Sequence, residues 1–322
     1  MTWLASLRRT YGPSVAVQLA SHQVSAASLD RRFGKLVVTA HATEPLPEGA
    51  IVPSLTAENV HNRAAVVAAL GQVLERTGRP KRIGLIVPDP VTKVSLVKFE
   101  QVPDRPQDLE QLIRWQARKT APFPIQEAQV SFIRALGAED GQEFLVSFAR
   151  RTVVEEYEGL CAEAGVHAGI VDIATFNLIN AVLAAPKAPE GDWLLVNVAP
   201  DYATIAIVRG EHPIFFRNRA AETDGTLADL VHQTTMYYED RLSGSGFSHV
   251  FVTGTANAGS RHEADVRQIR QTLQERLATR IDVVDPRAAA ALTDRIAAGP
   301  AVLETLAPLV GLLLRSREVG VH

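Results

Sequence analysis

Two stretches in the two halves of the chain carry the same pattern. "VAVQLASHQVSAASL" and "LVNVAPDYATIAIV" each alternate apolar and polar residues, break at a short turn and alternate again. Laid over one another they place Gln18 on Asn197 and Ala20 on Ala199. Each predicted hairpin runs into a third strand, "GKLVVTAHATEPL" in the first half and "HPIFFRNRA" in the second, and then into a helix. A chain of 322 residues is long enough for two ordinary domains with proper cores. The repeat therefore constrains the fold to a pair of similar hairpin-led α/β domains.

Such a duplication points to the actin-like, ribonuclease-H-like architecture. "APKAPEG" is the best linker, and it divides the chain into a first domain over 1–186 and a second over 190–322. Within the first, "VSLVKFEQV", "PQDLEQLIRWQARKTA", "AQVSFIRAL", "QEFLVSFAR" and "TVVEEYEGLCAEAG" predict a β-α-β-β-α subdomain inserted over about 93–168. Its first helix enters at Pro106, and its second has a Thr152–Glu155 capping box and Gly165 at its end. The second half predicts helices around "LADLVHQTTMYYEDRL" and near 263–278, with strands "HVFVTG" and "IDVVD".

Bulk properties narrow the function. A net charge of −3 gives no polyelectrolyte signature, so nucleic acid is not an expected partner. Cys161 is the single cysteine, which excludes an internal disulfide and fits a reducing compartment; within its amphipathic helix it reads as a packed thiol. "MTWLASLRRT" lacks the apolar run of a secretory signal, and its Trp3, Leu4 and Leu7 beside Arg8 and Arg9 read as a frayed terminus. "AVLETLAPLVGLLLR" is interrupted by Glu304 and is too short to span a bilayer. The expectation is a cytoplasmic chain without a transmembrane segment of its own. The nine histidines show no metal-ligand spacing, and no catalytic set can be named, so the catalytic and metal expectations are none.

"EPLPEGAIVPSLTAENVHNRAAVVAALGQVLERTG" resembles the type IV pilus assembly protein PilM family, which carries a similar Leu-Pro-x-Gly-Ala-Ile-Val segment before a helix. The resemblance continues through "RIGLIVPDPVTKVSLVKFEQVP", "LEQLIRWQARKTAPFP", "LVSFARRTVVEEYEGLCAEAGVHAGIVDI" and "LAPLVGLLLR". It implies an actin-like fold with an inserted subdomain, and a cytoplasmic platform held at the inner membrane by the N-terminal peptide of a bitopic, PilN-like protein. Pilus motor ATPases are further partners that the resemblance implies. Many members bind ATP with magnesium between their two domains.

Two departures weigh against nucleotide here. The family's hairpin turns usually read Asp-Ile-Gly-Ser and Asp-x-Gly, whereas this chain has Gln18-Leu19-Ala20-Ser21 and Asn197-Val198-Ala199-Pro200. Magnesium on phosphates wants carboxylates, which neutral amides do not replace, and Pro200 removes an N–H that a phosphate could use. "FFRNRAAETDGTLADLVHQ" also passes from strand to helix almost directly, where the family carries a subdomain walling the cleft. The expected remnant cleft is Gln18, Ser21, Asn197, Asp201 and Gly254, the last opening "GTANAG" after a strand. That loop lacks the Lys-Ser/Thr of a phosphate loop and reads as a tight strand-to-helix turn.

Arg114 and Arg118 with Trp115 form a basic, aromatic edge on the helix before "APFP", the expected partner-binding residues. The expected activity is recognition: a peptide pairs with a strand edge in the groove between the first domain and the insertion. The rivals are a working Mg-ATPase using Asp201 or Asp172, and the equivalent platform of a type II secretion or mannose-sensitive pilus system.

Overall fold

The computed structural model describes residues 12–136, 141–221, 226–254, 271, 274 and 281–318. The first half opens with β1 (Val15–Leu19), β2 (Gln23–Arg32) and β3 (Lys35–Pro45), an antiparallel meander. Helix α1 (Arg63–Arg76) follows, its first turn capped by Asn62, whose side chain accepts from the Ala65 N–H at 3.1 Å. Strand β4 (Arg82–Val87) returns beside β1 in parallel, and β8 (His167–Ile173) adds parallel to β4. Between them run β5 (Thr92–Phe99), α2 (Pro106–Ala117), β6 (Ala128–Arg134), β7 (Gln142–Arg150) and α3 (Arg151–Glu163). Helix α4 (Ala174–Leu183) then leads to the second half.

The second sheet repeats the first: β9 (Asp192–Val198), β10 (Tyr202–Arg209) and β11 (His212–Ala220) form the meander, followed by α5 (Leu227–Arg241). Strand β12 (His249–Thr253) lies parallel to β9, as β4 does to β1, and β13 (Ile281–Asp282) lies beyond it. The duplication inferred from the two hairpins is thus present in the sheet topology. Strand β11 ends at Ala220 and α5 begins at Leu227, so the connection is short. The helix expected near 263–278 and all of "GTANAG" beyond Gly254 lie outside the described residues, apart from 271 and 274.

Period-2 burial sets the layers. Leu194 and Val196 of β9 pack with α5, while Trp193 and Leu195 face α4 on the other side. The first sheet likewise packs Val15 and Val17 toward α1 and α3, and Ala16 toward a last helix, α6 (Pro300–Glu318). Helices α4 and α6 therefore lie between the two sheets. They approach closely at Gly311, where a Cβ would stand 1.8 Å from the Asn177 carbonyl oxygen. No helix among the described residues is long and apolar enough to cross a membrane.

Three local expectations need correction. The end of the chain, read as part of a second domain over 190–322, returns to the first sheet: β14 (Ala291–Leu292) pairs with β3, and α6 covers the face bearing Ala16, Ala27 and Leu29. The stretch read as an insertion over 93–168 has two parts. Strands β5, β7 and β6 form a separate three-stranded sheet, but Val153, Tyr157, Leu160 and Cys161 of α3 join the core of the first sheet. The expected Thr152–Glu155 capping box is not formed, because the helix starts directly from β7 with Arg150 at its N-cap and no side-chain cap bond. Burial pushes the Cys161 thiol up to about 12, as expected for a packed thiol.

The turn that follows the "GAIV" segment is held by buried Asn59. Its amide donates to the Ser54 and Ala57 carbonyls at 2.9 and 2.8 Å, and its oxygen accepts from Ser54 N–H and the Tyr157 hydroxyl. Glu156 of α3 takes the Asn59 N–H at 2.8 Å. Asn59→Ala orphans several of these groups and is expected to cost about 2–3 kcal/mol in urea unfolding.

Candidate functional site

The parallel strands β1, β4, β9 and β12 all end at one place between the sheets, where α/β folds bind ligands. The cleft there is lined by both hairpin turns, by Thr253 and Gly254 at the end of β12, by Ala174 and Leu178 of α4, and by Glu304, Thr305 and Pro308 of α6. Gln18, Ser21, Asn197, Asp201 and Gly254 all line it, so the five residues expected in a remnant nucleotide cleft come together in space. Gly254 has φ +84°, and a Cβ on it would stand 1.8 Å from the Val198 carbonyl oxygen. Gly254→Ala is therefore expected to displace the end of β12 from β9 and to lower the melting temperature by several degrees.

The two turns do not face an open space. The Ser21 hydroxyl donates to Asp201 Oδ1 at 3.0 Å, joining the first hairpin turn directly to the second. Burial pushes the Asp201 carboxyl up, opposed by the Ser21 bond. The space left holds about 60 Å³, well below the roughly 300–1,000 Å³ of ordinary small-molecule pockets. His22 also lines it, with both ring nitrogens buried and without partners among the described residues, and burial holds its pKa below the usual value.

Asn197, at the position expected to have held a cation, points into a different network. Its amide donates to Asp89 Oδ2 at 3.3 Å and to Thr175 Oγ1 at 3.0 Å. Asp89 is wholly buried after β4; it also accepts from Thr175 N–H at 3.0 Å, from the Thr175 hydroxyl, and from the Thr204 hydroxyl at 2.6 Å. Asn218 donates to Thr204 Oγ1 at 2.8 Å. Burial pushes the Asp89 carboxyl up, although every one of these donors pulls it back. Asp89 and Thr175 belong to the first half, Asn197, Thr204 and Asn218 to the second. The network bolts the two sheets together at the back of the cleft.

A second and larger hollow of about 820 Å³ lies between the first sheet and the small one. One wall is β8, which ends the first sheet, with Phe176, Ile179 and Leu183 of α4 beside it. The other is the face of the small sheet bearing Ser131, Ile133, Leu145 and Ser147, and Glu211 and Pro213 of the second half close one side. Asp172, named as a rival magnesium carboxylate, lines this groove and not the cleft; it is paired with Arg315 of α6. It is thus out of place for cleft chemistry.

Arg114, Trp115 and Arg118 lie outside the groove lining. They sit at and just beyond the end of α2, which covers the opposite face of the small sheet through Ile113, Phe144 and Val146. Trp115 is 56% exposed with the Lys119 ammonium 3.9 Å over its ring, and Arg114 pairs with Glu110 at 2.9 Å. Sequence reading passed over Asp89, whose outward sign is an acid set between two prolines after the apolar run 83–87.

Over 96% of its length the chain superposes on 99% of a chain of the PilM–PilN type IV pilus biogenesis complex, with a TM-score of 0.75 at 17% identity. It also matches the cytoplasmic domain of EpsL, an inner membrane component of the type II secretion system of Vibrio cholerae, at 10% identity over 95% of this chain and 94% of that one, with a TM-score of 0.46. An actin-like ATPase-fold protein of unknown function from Bacteroides thetaiotaomicron matches at 10% identity over 88% and 93%, with a TM-score of 0.47. The first of these, with the duplicated sheets, establishes an actin-like α/β fold. The family model for "Type IV pilus assembly protein PilM" matches residues 16–240, more than half of the sequence, and on that ground the chain belongs to the PilM family.

Proposed function

We propose that this chain is a recognition platform of type IV pilus assembly that holds the N-terminal peptide of a bitopic, PilN-like inner-membrane protein. The groove of about 820 Å³ beside β8 carries this reading. An extended peptide there pairs with the free edge of β8 and sets alternate side chains against Phe176 and Ile179 on one wall and Ile133 and Leu145 on the other. The peptide tethers the chain to the cytoplasmic face of the inner membrane. The cleft plays no catalytic part: Asp201 is engaged by Ser21, Asp89 behind it by Thr175, Thr204 and Asn197, and the free space is smaller than a nucleotide. What supports this is the family membership together with the contrast between a narrow cleft of about 60 Å³ and a groove of about 820 Å³.

Calorimetric titration of a synthetic partner N-terminus tests the reading. Saturable binding that is indifferent to Mg-ATP is expected. No binding of peptide, or tight Mg-ATP binding lost in Asp201→Ala, overturns it.

A further inference from the structure

The turn between β2 and β3 is built at a conformational cost. Arg32 pairs with Lys35 and leaves a two-residue loop, Phe33-Gly34, with φ of +50° and +79°. Positive φ at both central positions is the type I′ arrangement, which favours Asn-Gly or Gly-Gly. A bulky aromatic there is an outlier, since its Cβ crowds its own backbone. Gly34 meets that requirement; Phe33 does not. Nor is the ring repaid by packing, because Phe33 is wholly exposed while the next apolar residue, Leu36, packs toward the α6 face of the sheet.

The setting is cationic. Arg31, Arg32 and Lys35 flank the ring and are exposed, and the nearby acid, Asp30, accepts the Arg31 N–H at 2.7 Å. The chain that feeds β1 arrives at this same end, since Val15 pairs with Ser28 and Ser14 accepts from Leu29 N–H at 2.9 Å. The cleft lies at the opposite end of β1.

From this juxtaposition we infer that the Arg31–Lys35 hairpin tip is a contact for an anionic lipid surface, with Phe33 entering the interfacial zone and the three cations meeting the headgroups. Interfacial aromatics with flanking cations fit the polarity gradient of a bilayer surface, and anionic headgroups supply the complementary charge. One ring and three cations bind weakly by themselves, but a tethered chain makes the contact intramolecularly, so the tip orients the protein rather than recruiting it.

Co-sedimentation of the full chain with vesicles at low ionic strength tests this without any partner, so it can fail independently of the peptide groove. Vesicles of phosphatidylglycerol and phosphatidylethanolamine are expected to bind the chain, and phosphatidylcholine vesicles to leave it in solution. Phe33→Asn is expected to lower the partition coefficient about tenfold, and Arg32→Gln or Lys35→Gln about fivefold each. Phe33→Asn suits the positive φ, so its melting temperature is expected to hold or rise, which separates a lost contact from a lost fold. Equal binding by Phe33→Asn, equal binding to both vesicle types, or no binding by the native chain overturns the inference. So does a native self-association that Phe33→Asn abolishes, which makes the tip a contact between copies.

Discussion

Asp89→Ala is expected to be the most damaging single substitution in the cleft, costing about 3–5 kcal/mol of stability. The carboxylate gathers Thr175, Thr204 and Asn197 from both halves of the chain at full burial, so truncation takes the acceptor from Thr175 and Thr204 and leaves the Asn197 amide with Thr175 Oγ1 alone. Urea unfolding followed through buried Trp193 reads the loss. Asp89→Asn keeps the shape and is expected to cost less, because one of its terminal atoms still accepts. The pH dependence carries a definite sign. Burial raises the Asp89 carboxyl above its ordinary 3.8, so the folded chain holds that proton more readily than the unfolded one. The resulting stability is fully present below the ordinary value and fades as pH rises through the folded value. The advantage of the native chain over Asp89→Asn is therefore expected to be larger near about pH 4 than near about pH 7.

Ile133→Glu is expected to weaken partner-peptide binding about thirtyfold or more, the scale of a central interface anchor. Ile133 is 54% exposed on the groove face of β6, so the change places a charge against the peptide with a stability cost within about 0.5 kcal/mol. Arg114→Ala, Trp115→Ala and Arg118→Ala, on the far side of the small sheet, are expected to shift the same affinity by less than about twofold. Titration of the four variants with one peptide decides between the groove and the α2 edge.

The difference between what was legible in the sequence and what was not follows from local periodicity. The twin hairpins could be read because β1–β2 and β9–β10 repeat one strand-turn-strand pattern with the same turn spacing, even though helices cover both faces of these strands. Gln18, Ser21, Asn197 and Asp201 meet because corresponding turns at the ends of the twin sheets converge, and Gly254 joins them at the end of β12. The return of the chain end to the first sheet left no such mark. Strand β14 has only Ala291 and Leu292, and α6 is apolar on several faces because it lies between a sheet and α4. Asn197 lines the cleft, but its amide reaches Asp89, a partner that sits in a proline-bounded turn and that no sequence period marks. The groove between the first domain and the insertion was expected without its lining residues, because its walls bring together β6, β7 and β8, which lie far apart in sequence.

Amide hydrogen exchange of the native chain, alone, with Mg-ATP and with the partner peptide, tests the central claim most directly. Protection of β8 and β6 by the peptide, with the turns at Ala20–His22 and Ala199–Asp201 unchanged by Mg-ATP, is the predicted result. Protection of those turns by Mg-ATP while the peptide leaves β8 untouched would contradict it.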